Sequence, residues 1–262
     1  MEERTPLDEI ELTPDPLERL QQEIAAALGG LVHHSIPLHE VSTALDIGST
    51  GGIWAVSMVK RYQHISVTSI DARPERVHRA LMRARWQQAS HLYIHHMKDS
   101  QSLASGTFDL VHMCSQGFLE PREWDALIAE MARLAGQGGW LHLIGIIPGK
   151  SSSPAYNQLI EMIERACSPE RLEGAIYLYK HFLAAGLKSV TYSIHALDMG
   201  CCKQPAVPRE AVFELLSLAR PQVSAIFAPG LYDRLLQQAR HELQQPYACG
   251  YAYLISIAGQ KM

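Results

Sequence analysis

Three stretches of the chain combine side chains and backbone freedom that could bind a polar ligand. The first is Ala44-Leu45-Asp46-Ile47-Gly48-Ser49-Thr50-Gly51-Gly52-Ile53-Trp54-Ala55, a short apolar run that enters a glycine turn and leaves it in a helical pattern. Such a turn lets a ligand approach the backbone, and the free amides at the start of the next helix favour negative charge. Glycines also serve an ordinary tight turn, but the place of this one on the first strand favours binding. The second is Asp71, 23 residues after Gly48 at the end of the second apolar run. An acid there can accept both hydroxyls of a ribose, or can cap the helix that opens at Arg73-Pro74-Glu75. The third is Met113-Cys114-Ser115-Gln116-Gly117-Phe118-Leu119. Cys114 is a nucleophile by type, yet no Cys-His-acid order accompanies it, and a packed thiol is the better reading. His112 and His195 are the candidates for a general base; for His112 a packed role is the simpler reading.

The spacings exclude several chemistries. A dinucleotide fingerprint starting at Gly48 needs glycines at 50 and 53, where Thr50 and Ile53 stand. Gly145 lies one residue too close to Gly149-Lys150-Ser151 for a P-loop, so that stretch reads as a loop after the fifth strand. His33-His34 and His95-His96 invite a metal, but neighbours on a strand point to opposite faces, and no metal is expected. Arg73, Arg76, Arg79, Arg83 and Arg85 share a helix with Val77, Leu81 and Met82 and read as a solvated face.

These groups need a scaffold, and hydrophobic periodicity supplies one. A helix is predicted from Pro16 to the Gly29-Gly30 stop, then strands over 42–48, 65–70, 92–97, 108–113 and 140–147, with helices from Ile53, over 73–89 and over 121–135. Strands alternating with helices predict parallel β-α-β units in a doubly wound sheet. Past Pro148, helical patterns over 155–166, 169–185, 209–219 and 229–244 surround two more strands, 189–196 and 251–258. The roughly fifty residues between those strands exceed an ordinary connection and read as a cap or a surface for a partner. Tyr156, Tyr177, Tyr179, Phe182 and Phe213 either line an acceptor pocket or form the cores of their helices.

The glycine segment resembles motif I of the class I S-adenosylmethionine-dependent methyltransferases, D-x-G-x-G-x-G. Asp46, Gly48 and Gly52 match, Thr50 replaces the middle glycine, and Gly51 is displaced by one. The likeness continues in Phe108-Asp109-Leu110-Val111-His112 and Gly138-Gly139-Trp140, and it is to the small-molecule, natural-product branch. It implies a seven-stranded, mostly parallel sheet with a helical cap, and transfer of a methyl group to a small, apolar acceptor. It also implies S-adenosylmethionine held by Asp46, Gly48, Ser49, Thr50, Gly52, Asp71, Ala72, Asp99, Ser100, Met113 and Cys114, with Ser115 and Gln116 facing the acceptor; of the aromatic residues in the later helices, Tyr156 and Tyr177 are the candidates for the acceptor side. In-line transfer from a sulfonium depends chiefly on positioning, so no catalytic base has to be assigned. Two rivals are a repurposed cyclase or isomerase, and a non-catalytic interaction module using residues 197–246 to make a homodimer.

Composition agrees with this outline. The 262 residues are 47% hydrophobic and carry a net charge of −4, so a large core is expected and nucleic acid is not a default partner. The longest apolar runs, Trp140–Pro148 and Tyr251–Gly259, are shorter than a membrane span, and the acidic start lacks the features of a signal peptide. Five unpatterned cysteines suit the reducing cytoplasm, and the 13 histidines read as mostly structural. Residues 1–40 read as an N-terminal helical segment, 41–150 as the cofactor-binding core, and 151–262 as the acceptor side of one compact domain.

Overall fold

In the computed structural model, which describes residues 16–97, 100–115, 121–166, 174–199 and 209–262, seven strands make one sheet. They are β1 (Thr43–Ile47), β2 (Ser66–Asp71), β3 (Leu92–His96), β4 (Phe108–Ser115), β5 (Ala135–Ser151), β6 (Lys188–Asp198) and β7 (Gly250–Gln260), in the order β3-β2-β1-β4-β5-β7-β6. Every pairing from β3 to β5 is parallel, whereas β7 runs antiparallel to both β5 and β6. The strand order reverses between β1 and β4, and such a reversal opens a crevice at the carboxyl ends of the strands.

Nine α-helices accompany the sheet among the described residues: α1 (Pro16–Leu28), α2 (Ile53–Arg61), α3 (Pro74–Trp86), α4 (Pro121–Leu134), α5 (Pro154–Ala166), α6 (Gly174–Ala184), α7 (Arg209–Ser217), α8 (Arg220–Ser224) and α9 (Leu231–Leu243). No helix among these residues is long and apolar enough to cross a membrane. Both sheet faces are covered, which is why Ala44, Leu45 and Asp46 of β1 are all buried rather than alternating. On one face Ala44, Val67 and Leu110 pack with Trp54, Met58 and Val59 of α2. On the other, Leu45, Val111 and Leu141 pack with Trp124, Ile128 and Met131 of α4 and Phe182 of α6. Each such fully buried side chain contributes about 1.5–3 kcal/mol of transfer free energy.

A third core is mostly helical. Leu20 and Ile24 of α1, Tyr156 and Leu159 of α5, Phe213 of α7 and Leu236 of α9 meet Cys114 and Leu197 near the carboxyl ends of β4 and β6 and Ala252 near the start of the antiparallel β7. The segment between β6 and β7 is thus built into a helical layer, with α9 packed on α5 and α7 on α1.

Two expectations are corrected. The glycine run 136–139 lies inside β5: Phe108 pairs with Ala135 and Leu110 with Trp140, so the four residues bulge outward opposite Asp109. A Cβ at Gly139 would stand 2.9 Å from both Gly136 O and Phe108 O, which excludes a side chain there. β5 also runs on through Gly149-Lys150-Ser151, which is strand rather than loop because Ser151 still pairs with Gly250 of β7. The sequence also gave no sign of the short α8.

Candidate functional site

The crevice at the strand reversal has a volume of about 530 Å³ and is lined by Gly48, Asp71, Ala72, Arg76, Ser100 and Glu130 among others. Its floor is the glycine turn. Gly48 and Ser49 donate their amides to Ile70 O at 2.9 and 3.3 Å, tying the turn to the end of β2. Gly48 has φ +75°, and nothing lies within 4 Å of where a Cβ would sit, so its backbone faces open space. The other turn residues are buried against helices. A Cβ at Gly52 would stand 2.9 Å from Ala80 Cβ of α3, and one at Gly51 would collide with Glu18 Oε1 of α1. Thr50 takes the left-handed φ +41° and donates Oγ1–H to Gly48 O at 3.1 Å. The departures from D-x-G-x-G-x-G therefore fall where the turn meets protein, while the glycine facing the crevice is kept.

The two oxygens of Asp71 have different surroundings. Oδ1 accepts the Arg73 amide at 2.9 Å, which fixes the residue that leads into α3 but leaves the first-turn amides of the helix without a side-chain cap. Oδ2 is buried and has no hydrogen-bond partner, with only Arg76 Nη1 at 4.0 Å. A buried carboxylate oxygen left unpaired is costly, and here it belongs to a residue that lines the crevice.

The wall opposite was not legible in the sequence. Arg133 of α4 donates Nη2–H to Ser100 O at 3.1 Å and Nη1–H to Leu103 O at 3.0 Å, while Glu130 accepts from Arg133 Nε at 2.7 Å and from Ser100 Oγ. The Arg133 hydrogen bonds hold the Glu130 carboxyl below its ordinary range. The i, i+3 spacing of Glu130 and Arg133 was the available signal, but the loop they pin has no local mark.

The structure thus brings Gly48, Asp71, Ala72 and Ser100 together, with Ser49, Thr50 and Gly52 in the turn beneath; Ser49 Oγ is buried and lacks a hydrogen-bond partner. Asp99 and Gln116 lie outside the described residues, as does the side chain of Ser115. Met113 faces the α4 side, packed in that core. Cys114 lies on the α1 side, and burial pushes its thiol up to about 12, which keeps it protonated. Asp46 is buried in the sheet, accepting from Ser69 Oγ at 3.0 Å, and burial pushes its carboxyl up to about 7. Tyr177 is half-buried near the start of α6.

Three assignments are corrected. His112 is sealed in the sheet, its ring stacked 4.1 Å from Trp54 and its Nδ1 2.9 Å from His142 Nδ1. Burial brings its pKa down to about 3, so it is a neutral packing group and no general base. His195 sits on the edge strand β6, four strands from β1, or roughly 19 Å at about 4.8 Å per strand. Its Nε2 lies 3.0 Å from Ser193 Oγ. Tyr156 is fully buried in the helical core and lines no crevice; its hydroxyl has no partner. Nor are the α3 arginines a plain solvated face: Arg83 is 4% exposed and bonds Glu18, and Arg73 and Arg76 border the crevice.

Two stability predictions follow from these placements. Tyr156→Phe removes an unpaired buried hydroxyl and is expected to stabilise the protein by about 1 kcal/mol in urea denaturation; destabilisation by as much would show that the hydroxyl is bonded. For Asp46, the folded pKa lies above the unfolded one, so folding becomes harder as pH rises from about 4 to about 7. Asp46→Asn abolishes that penalty and is expected to be about 4 kcal/mol more stable than wild type at pH 8, with the difference vanishing near pH 4. Denaturation curves at the two pH values check this.

Residues 44–139 match the family model of a methyltransferase domain, from β1 through the glycine bulge of β5. No curated protein matches the chain in sequence at a significant level. Among solved structures, the MccD protein is 17% identical with a TM-score of 0.51, over 91% of this chain and 96% of that one. The phosphoethanolamine N-methyltransferase 2 of Haemonchus contortus, in complex with phosphomonomethylethanolamine and S-adenosylhomocysteine, is 16% identical with a TM-score of 0.52, over 95% of this chain and 59% of that one. The YcgJ protein of Bacillus subtilis is 17% identical with a TM-score of 0.50, over 84% and 92%. At these identities the likeness to solved structures is one of fold.

Proposed function

We propose that the protein is a class I, S-adenosylmethionine-dependent methyltransferase that methylates a nucleophilic atom of a small, largely apolar organic acceptor, as in secondary-metabolite synthesis; the match of residues 44–139 to the model of a methyltransferase domain supports this. The observation that carries this reading is the buried, unpartnered Oδ2 of Asp71, a residue that lines a 530 Å³ crevice together with the open backbone of Gly48. These residues fit an adenosyl group. Asp71 Oδ2 would accept from the ribose hydroxyls, Gly48 would admit the ligand to the backbone, and Ser100 with Glu130 would form the wall beside it. When bound, the cofactor supplies an electrophilic methyl on a sulfonium. The protein's own task is then to hold an acceptor in line with it and to keep water out.

An apolar acceptor suits the helical layer of α1, α5, α7, α8 and α9, which we assign as the cap, with Ser115, Gln116 and Tyr177 on its acceptor side. A second cavity of about 580 Å³ lies at the same end of the sheet, between the ends of β5 and β6 and the start of β7, on the far side from the crevice. Ala196, Leu197 and Tyr251 contribute to its walls, with Lys150 and Asp198 among the lining residues. Cys114 and Cys249 are free thiols, and a cytoplasmic setting is part of the proposal.

Methyl-labelled S-adenosylmethionine incubated with the protein and an extract of small apolar metabolites tests the reading. Label is expected to enter an organic-soluble product in step with S-adenosylhomocysteine. Conversion of a metabolite with all label left on the cofactor would replace methyl transfer by a cyclase or isomerase reaction.

A further inference from the structure

The glycine turn needs a reason to keep its shape. Thr50, Gly51 and Gly52 all have positive φ, at +41°, +71° and +77°, and a non-glycine residue such as Thr50 holds that region only when its surroundings over-determine it. The surroundings come from two helices. Glu18 of α1 is fully buried, and its Oε2 accepts from Arg79 Nη2 and Arg83 Nη2, both at 2.8 Å. Its Oε1 accepts from Arg79 Nε at 2.8 Å and from Arg83 Nη1 at 3.3 Å. Arg83 Nη1 also donates to the carbonyl of Gly51. Burial alone would raise the Glu18 carboxyl, and the hydrogen bonds and charges of Arg79 and Arg83 more than offset that, so the carboxylate is ionised.

We infer that Glu18 is a positioning residue for the cofactor: from a helix that precedes the matched domain, it orients Arg83, and Arg83 fixes the Gly51 carbonyl and with it the turn that ends in the open Gly48. The geometry explains why position 51 must be glycine, since any side chain would occupy the space of the Glu18 carboxylate. It also makes α1 a part of the cofactor site without touching the crevice. A carboxylate is required because two guanidiniums converge on the fully buried Glu18, and a neutral partner would leave the charge of the buried Arg83 uncompensated beside Gly51. The inference rests on the crevice binding an adenosyl cofactor.

Calorimetric titration with S-adenosylhomocysteine separates the two claims. Wild type is measured first, and absence of binding overturns the reading of the crevice itself. Given binding, Glu18→Gln is expected to raise the dissociation constant at least tenfold, while Ile24→Val, a core change on the same helix, leaves it within twofold even though both lower the melting temperature. Affinity within twofold of wild type in Glu18→Gln overturns the inference, as does an equal loss in Ile24→Val. Arg83→Lys covers the case in which Glu18→Gln does not fold: it keeps the ion pair with Glu18 but not the fork that also reaches Gly51. A fivefold or greater loss is expected there, and unchanged affinity overturns the inference.

Discussion

Asp71→Asn is expected to weaken S-adenosylhomocysteine binding about 100-fold. The substitution keeps Oδ1 as the acceptor for the Arg73 amide, so the turn into α3 survives and the fold is not the variable. What changes is Oδ2, the buried oxygen without a partner, which becomes a donor facing two hydroxyls. Hydrogen bonds to a charged group are worth about 1.5–3 kcal/mol each, so losing a ribose pair costs roughly 3 kcal/mol, or two orders of magnitude in affinity. Calorimetry on wild type and variant reads this directly, and a change below threefold would remove Asp71 from the site. Arg76, 4.0 Å from Oδ2, holds the carboxylate in place but does not saturate it, which leaves the oxygen free for the ligand.

The second large effect is acid lability. His112 and His142 are fully enclosed, joined Nδ1 to Nδ1 at 2.9 Å, and His142 Nε2 lies 3.0 Å from Ser256 Oγ. Burial holds His112 at about 3 and keeps His142 well below the ordinary 6.5, so both are neutral in the fold. A histidine whose folded pKa is depressed contributes full stability above about 6.5 and loses it as pH falls toward the folded value. At pH 5 the unfolded chain gains about 2 kcal/mol per such histidine by protonation, roughly 4 kcal/mol for the pair. His33, also buried and lowered to about 4, acts in the same direction. Asp46 acts oppositely, becoming less costly as pH falls, so the Asp46→Asn background gives the cleanest reading. There the melting temperature is expected to drop by about 10 °C between pH 7.5 and pH 5. A second substitution, His142→Gln, should flatten that slope by about half, and an equal slope in both proteins would contradict the account.

What the sequence revealed and what it hid divide along a physical line. Features set by local periodicity were legible. The period of β1, β2 and β4, the turn at Gly48 and the acid that ends β2 all follow from residues near one another in the chain, and they define the crevice. Features set by partners distant in sequence were not. The glycine run before Trp140 looks like a linker until β4 is laid beside it and the four residues bulge from the strand. His112 looks like a candidate base until His142, one strand across, closes over it. Tyr156 looks like a pocket aromatic, but α5 and its neighbours enclose it. Glu18 and Arg83 look like ordinary surface charges of two amphipathic helices, and only the fold, across 65 residues, makes them a buried pair at the turn.

The most direct measurement of the central claim is a crystal structure of the protein grown with S-adenosylhomocysteine. The account predicts an adenosyl group in the crevice, its ribose hydroxyls on Asp71 Oδ2, the backbone of Gly48 beside it and its base along the Ser100–Glu130 wall. An empty crevice at millimolar ligand, or the ligand bound elsewhere with Asp71 Oδ2 still unpartnered, would contradict it.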